Sequence, residues 1–169
     1  GGVRSSLIAW GPSTVVKKNY VNRTSVFSAI DLVPTLLDLT GTPHPENANY
    51  DGESLTGTLL GKSTASRKAP IYFRRPPDRD SFYGVKDLPD LAVRDGKWKF
   101  LCEYDGTDPE LFDMEKDQGE TKNVVAKHPE LISKFTKACI AWHKSLPTDN
   151  GPQLAGNFRR NPSKKPKKK

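Results

Sequence analysis

The 169-residue sequence is long enough to bury a core, although a mean hydropathy of -0.68 and 34% hydrophobic residues make it polar for its size. Seven of its 27 basic residues, Arg159, Arg160, Lys164, Lys165, Lys167, Lys168 and Lys169, lie in the final stretch, which has no acid, so residues 1–158 hold 20 bases against 20 acids and the net charge of +7 is a property of the tail. This distribution argues against a basic nucleic-acid-binding domain, and no run of about 18 apolar residues offers a membrane-spanning helix.

The chain opens on Gly1-Gly2-Val3-Arg4, without Met or a charged-then-apolar leader, which gives the expectation that the true N-terminus is missing. Leu7-Ile8-Ala9-Trp10, stopped by Gly11-Pro12, suits a buried strand that needs neighbours to pair with. From Val26 to Leu39 the residues Phe27, Ile30, Val33, Leu36 and Leu37 fall at helical spacing, with Gly41 and Pro43 as the stop. Pro34 fits if Asp31 is the N-cap, because the first turn has no intrahelical partners for its backbone donors.

Residues 42–68 read as loop with one helical turn around Leu55 to Leu60. A short strand is expected at Pro70 to Phe73, followed by an irregular exposed loop, because Pro76 and Pro77 in Arg74-Arg75-Pro76-Pro77-Asp78-Arg79-Asp80 remove donors and fix the backbone. Leu91-Ala92-Val93-Arg94 and Lys97-Trp98-Lys99-Phe100 flank Asp95-Gly96, a pair that favours a type I' turn and predicts a hairpin. Glu110 to Met114 should add a strand to the same antiparallel sheet. Pro129 opens a helix whose apolar face is Leu131, Ile132, Phe135, Cys139, Trp142 and Leu146, ended by Pro147. Disorder is expected from about residue 150, where the chain thins to Lys and Pro. The two cysteines, Cys102 and Cys139, give no disulfide framework to read and do not decide the compartment.

The order of these motifs resembles the formylglycine-dependent sulfatases, in particular the bacterial arylsulfatase A and N-acetylgalactosamine-6-sulfatase-like branch. Gly1-Gly2-Val3-Arg4, Asp31-Leu32-Val33-Pro34-Thr35-Leu36-Leu37, Asp51-Gly52-Glu53-Ser54-Leu55, the hairpin from Ala92 to Lys99, and Glu110-Leu111-Phe112-Asp113-Met114 with Gly119 to Asn123 follow in the family's order. The resemblance implies an α/β protein, the C-terminal fragment of an alkaline-phosphatase-like sulfatase fold that ends in a small antiparallel sheet with a packed C-terminal helix. It divides the chain into the last strand and helix of the large α/β domain at 1–60, a C-terminal α+β subdomain at 61–147, and a disordered basic tail at 148–169.

Sulfatases of this kind use a formylglycine, made in a Cys/Ser-x-Pro-Ser-Arg motif, and a divalent cation, usually Ca²⁺, to open a sulfate ester. No such motif occurs: Ser145-Leu146-Pro147-Thr148-Asp149 has Thr and Asp where Ser and Arg are required. The resemblance places the metal ligands and the sulfate-contacting lysine upstream of Gly1, and Asp31 and Asp51 read as a helix cap and a turn residue. No catalytic or metal residue is therefore carried over, and Ca²⁺ and formylglycine are expected of a full-length enzyme. Ala29 stands where many relatives have a His ahead of the Asp-Leu-x-Pro-Thr helix; His44, His128 and His143 read as a loop residue, an N-cap and a helix-surface residue.

Substrate selection remains. Arg74, Arg75 and Arg79, on a loop stiffened by proline, and Arg94 beside the hairpin turn suit the carboxylates or sulfates of an acidic polysaccharide through bidentate hydrogen bonds. The competing reading is a solvated ion-pair loop, with Trp98 packing on the sheet. The chain thus reads as the C-terminal part of a sulfatase acting on sulfated carbohydrate or aryl sulfate esters, inactive alone, partnered by an N-terminal sulfatase domain, and periplasmic or secreted by family resemblance. Alternatives are a non-catalytic sulfatase-like accessory domain and a polyanion-binding module acting through Lys164 to Lys169, the latter sequence-blind and salt-sensitive.

Overall fold

The computed structural model describes residues 5–75 and 89–147. The expected tail from residue 148, and most of the proline-stiffened loop, lie outside them.

Two helices come first: α1, Leu32–Thr40, entered through a single 3-10 turn at Ala29–Asp31, and α2, Thr56–Leu59. Asp31 is the N-cap residue of α1, so Pro34 does fall in the first turn. The polarity of α1 is reversed from a core helix. Asp31, Pro34 and Thr35 are buried, while Ile30, Val33 and Leu36 are 43%, 51% and 47% exposed. Thr35 explains part of the reversal: its hydroxyl accepts the Leu55 N–H at 2.9 Å and so ties α1 to the segment leading into α2.

The expected strand at Leu7 to Trp10 does not form, and Ile8 and Trp10 are 86% and 94% exposed. A strand is stabilised by its neighbour's ladder and by side chains opposite, and no described strand lies alongside these residues.

The second half of the chain is built on a meander. β1, Ile71–Arg74, β2, Leu91–Asp95, β3, Trp98–Cys102, and β4, Glu110–Asp113, pair antiparallel in that order. The hairpin expected between β2 and β3 is present, but its turn is one residue later than Asp95-Gly96. Asp95 pairs with Trp98, leaving Gly96-Lys97 as the two-residue loop. Gly96 has φ +52 and Lys97 is not among the positive-φ residues, whereas type I' needs positive φ at both central positions. The shift keeps every side chain on its face and sets Val93 opposite Phe100, so tertiary packing chose the register that the dipeptide alone suggested differently.

α3, Pro129–Ser145, lies across one face of this sheet. Proline starts it at no cost in hydrogen bonds, and Phe135 and Cys139 sit inside with Leu91, Val93, Phe100, Cys102 and Leu111, while Leu131, Ile132 and Trp142 pack on the margin. Three ring contacts tie β3 and its continuation to the helix region: Trp98 to His128 at 4.8 Å between centroids, Phe100 to Phe135 at 5.8 Å, and Tyr104 to His143 at 4.8 Å. Tyr72 of β1 stacks on Trp142 at 5.2 Å. The edge after β4 is held by Asn123, whose Oδ1 accepts the Leu111 N–H at 3.1 Å and the Val125 N–H at 3.0 Å.

Candidate functional site

Two clusters of charge matter. The first joins segments that are distant in sequence. Asp31 is fully buried; its Oδ2 accepts the Ser28 N–H at 2.7 Å, and its Oδ1 accepts the Glu53 N–H and Arg67 Nη1, each at 2.9 Å. Arg67, also buried, donates from Nε to the Ala69 carbonyl at 2.8 Å and from Nη2 to the Asp51 carbonyl at 3.0 Å. Asp31 is therefore more than a cap: three donors converge on its carboxylate. That arrangement also decides the metal question for these residues. A Ca²⁺ site needs several oxygens free to converge on one point, and Asp31 has its oxygens directed to N–H groups instead. Among the described residues no group of three or more His, Cys, Asp or Glu side chains could hold a metal ion. The Ca²⁺ of the sulfatases does not fit here, and no chemistry is derived through it.

The second cluster is at the end of the sheet where β1 leaves and β2 enters. Arg75 donates to Asp90 Oδ1 from Nη2 at 2.7 Å and from Nε at 3.2 Å, and the Arg75 N–H donates to the Asp90 carbonyl at 2.8 Å. The Tyr104 hydroxyl donates to the Arg75 carbonyl. Glu103 faces the same place. Burial, then its hydrogen bond to Asp90 and that residue's negative charge, pushes its carboxyl up to about 7, against a lowering influence from Arg75. The site is an arginine bridged to one carboxylate, with a second carboxyl beside it whose pKa is raised.

The four arginines singled out from sequence do not all share a surface. Arg74 pairs with Leu91 and Arg94 with Ile71, three positions apart on β1, so the two arginines stand on opposite faces of the sheet. Arg74 is on the α3 face with Leu91, and Arg94 is on the other, where its Nη1 donates to the Lys97 carbonyl at 3.2 Å. Arg75 is engaged with Asp90, and Arg79 lies outside the described residues. Trp98 does pack: Lys97 Nζ is 4.7 Å above its ring and His128 lies against it. His128 occupies the N-cap position of α3 without a capping hydrogen bond from its side chain, and His143 is half-buried against Tyr104. His44 bonds Asp38 at 2.8 Å in its loop.

Two participants were not legible in the sequence. Arg67 sits in an aperiodic loop whose partner is 36 positions away, and nothing local marks it. The approach of Glu103 to Asp90 follows only once β2 is paired with β3, which sets Leu91 opposite Cys102 and so brings the two flanking acids together.

Comparison with known proteins adds the following. Residues 2–142 match the family model of the N-sulphoglucosamine sulphohydrolase C-terminal region. Arylsulfatase K of Mus musculus is 33% identical over 132 residues, covering 76% of this chain and 23% of that protein. The Delta 4,5-hexuronate-2-O-sulfatase of Bacteroides thetaiotaomicron is 30% identical over 152 residues, covering 85% of this chain and 30% of that protein. A solved structure described with the metabolism of multiple glycosaminoglycans by Bacteroides thetaiotaomicron superposes with a TM-score of 0.53 at 25% identity, covering 71% of this chain and 25% of that one. The chain thus spans between a fifth and a third of the length of these relatives.

Proposed function

The chain belongs to the N-sulphoglucosamine sulphohydrolase C-terminal family of sulfatases, and from that membership we propose that it acts as the C-terminal part of a sulfatase that hydrolyses sulfate esters of a sulfated carbohydrate. The observation that carries this reading is the family match across residues 2–142, with the quoted motifs in the family's order. In this role the chain supplies scaffold and a substrate-selecting surface. The nucleophile, the Ca²⁺ and the sulfate lysine come from the N-terminal sulfatase domain, because the formylglycine motif occurs nowhere in this sequence. The exposed apolar residues of the first segment, Ile8, Trp10, Val33 and Leu36 among them, support a covering partner of that kind.

Arg74, Arg75, Arg79 and Arg94 are the guanidinium groups assigned to sulfate or carboxylate recognition. Arg74 and Arg94 stand on opposite faces of the sheet, so Arg94, away from α3, is a separate contact from Arg74. The same reading puts the protein in the periplasm or outside the cell.

The test has two arms. The purified 169-residue chain should show no turnover of an aryl sulfate with or without Ca²⁺; turnover by this chain alone overturns the scaffold role. A chondroitin sulfate tetrasaccharide should bind weakly, in a salt-sensitive way, with loss in Arg94→Ala and retention after deletion of residues 159–169. If the deletion alone abolishes binding, the affinity belongs to the tail and the arginine surface is wrong.

A further inference from the structure

The ring contacts between β3 and the helix region have a gap at their centre. Phe100 meets Phe135, and Tyr104 meets His143. Between them, two positions along the strand from Phe100 and four along the helix from Phe135, stand Cys102 and Cys139. Two strand residues advance about 6.6 Å and four helix residues about 6.0 Å, so the two elements keep step over this distance. The rungs on either side therefore set the two cysteines opposite each other. Both are 0% exposed, both are unpaired, and both belong to the same apolar cluster as Leu91, which pairs with Cys102 across the hairpin. The two thiols perturb each other's ionisation, which favours the thiolate of Cys102 and, with burial, disfavours that of Cys139. Two small apolar residues would fill this rung equally well; a pair of thiols facing each other across it adds a chemistry that packing does not require.

We propose that Cys102 and Cys139 are a disulfide site that covalently staples β3 to α3. The oxidant is a disulfide, carried by a small molecule or by an oxidoreductase, acting while the core is still open. The Cys102 thiolate attacks one sulfur of that disulfide, forming a mixed disulfide and expelling the first oxidant thiolate. Cys139, deprotonated to solvent, then attacks the Cys102 sulfur; the Cys102–Cys139 S–S bond forms and the second oxidant thiolate leaves. The two protein thiols lose two electrons and two protons in total, and the oxidant disulfide becomes two thiols. Closure of the core afterwards shields the bond from exchange, because the attacking thiol of any reductant must reach a buried sulfur.

The full chain is refolded from urea into native buffer containing reduced and oxidised glutathione, and in parallel held in concentrated urea with the same couple, then quenched with acid and examined by intact mass and peptide mapping. In native buffer a species lighter by about 2 Da should appear, with the Cys102 and Cys139 peptides joined, and its equilibrium constant should exceed that in urea by at least about 10-fold. Reduction should lower Tm by roughly 5–15 °C, and Cys139→Ala should remove both the lighter species and the redox dependence of Tm. The assignment is overturned if both thiols stay free or carry only glutathione in native buffer, or if the constant there is no larger than in urea. A redox-dependent Tm that persists in Cys139→Ala overturns it equally.

Discussion

Arg67 Nη1 meets Asp31 Oδ1 at 2.9 Å with the two side chains 2% and 0% exposed, so the ends of a 36-residue separation are joined by an ion pair inside the protein. Buried pairs add little stability over an apolar pair of equal volume, but removing one partner leaves a charge that neither water nor a counterion reaches. Asp31→Asn and Arg67→Met should each cost about 3–5 kcal/mol in urea unfolding, and the double variant should cost clearly less than the sum. Additive losses in that cycle would show that the two side chains are not energetically coupled.

The contrast between the two halves of the chain is itself testable. Phe100 is fully buried at the centre of the sheet–helix core, whereas Leu36 of α1 is 47% exposed. Phe100→Ala should lose about 3–5 kcal/mol and Leu36→Ala should stay within about 0.5 kcal/mol when this chain is unfolded by denaturant. A large loss at Leu36 would mean that α1 has a neighbour the fold does not show.

That contrast also marks where sequence reading worked. α3 and the hairpin were legible because their signals are local: Pro129 at the start, Phe135 and Cys139 on one helical face, Gly96 at the bend. Leu7 to Trp10 carried an equally strong apolar signal and formed nothing, since a strand is defined by a partner that local pattern does not supply. The turn was misplaced by one residue for a related reason. Setting Phe100 opposite Val93 satisfies the core, and the dipeptide rule does not count core contacts. At the charged sites, the identity of Asp31 was visible but its partner was not, because an ion pair across the fold leaves no periodicity.

Glu103 makes stability depend on pH in a definite direction. Its carboxyl is raised from an ordinary 4.5 to about 7, so the folded state holds a proton more tightly than the unfolded chain does. The associated stability is fully present below about pH 4.5 and is lost as pH rises through about 7. Unfolding free energy measured by urea titration should fall across that interval, and Glu103→Gln, which keeps a neutral hydrogen-bonding group beside Asp90, should flatten the fall. An unchanged slope in the variant would assign the titration to another group.

Gly52 explains why the Asp51-Gly52-Glu53 turn is built as it is. A Cβ at this position would lie 1.9 Å from the Ile30 carbonyl oxygen and 2.5 Å from its carbon, both backbone atoms of the turn that carries Asp31. Relief would require Gly52 and Ile30 to separate, and the neighbouring Glu53 N–H and Asp51 carbonyl are the groups bonded to Asp31 and Arg67. The steric cost therefore falls on the same buried pair. Gly96 offers the opposite case, with φ +52 but open space where a Cβ would stand, so alanine there meets only backbone strain. Gly96→Ala should cost about 1 kcal/mol, and Gly52→Ala should cost at least about 3 kcal/mol or prevent folding, as read by urea unfolding and by far-UV circular dichroism. Near-equal costs at the two positions would show that the approach of Gly52 to Ile30 is looser than these contacts imply.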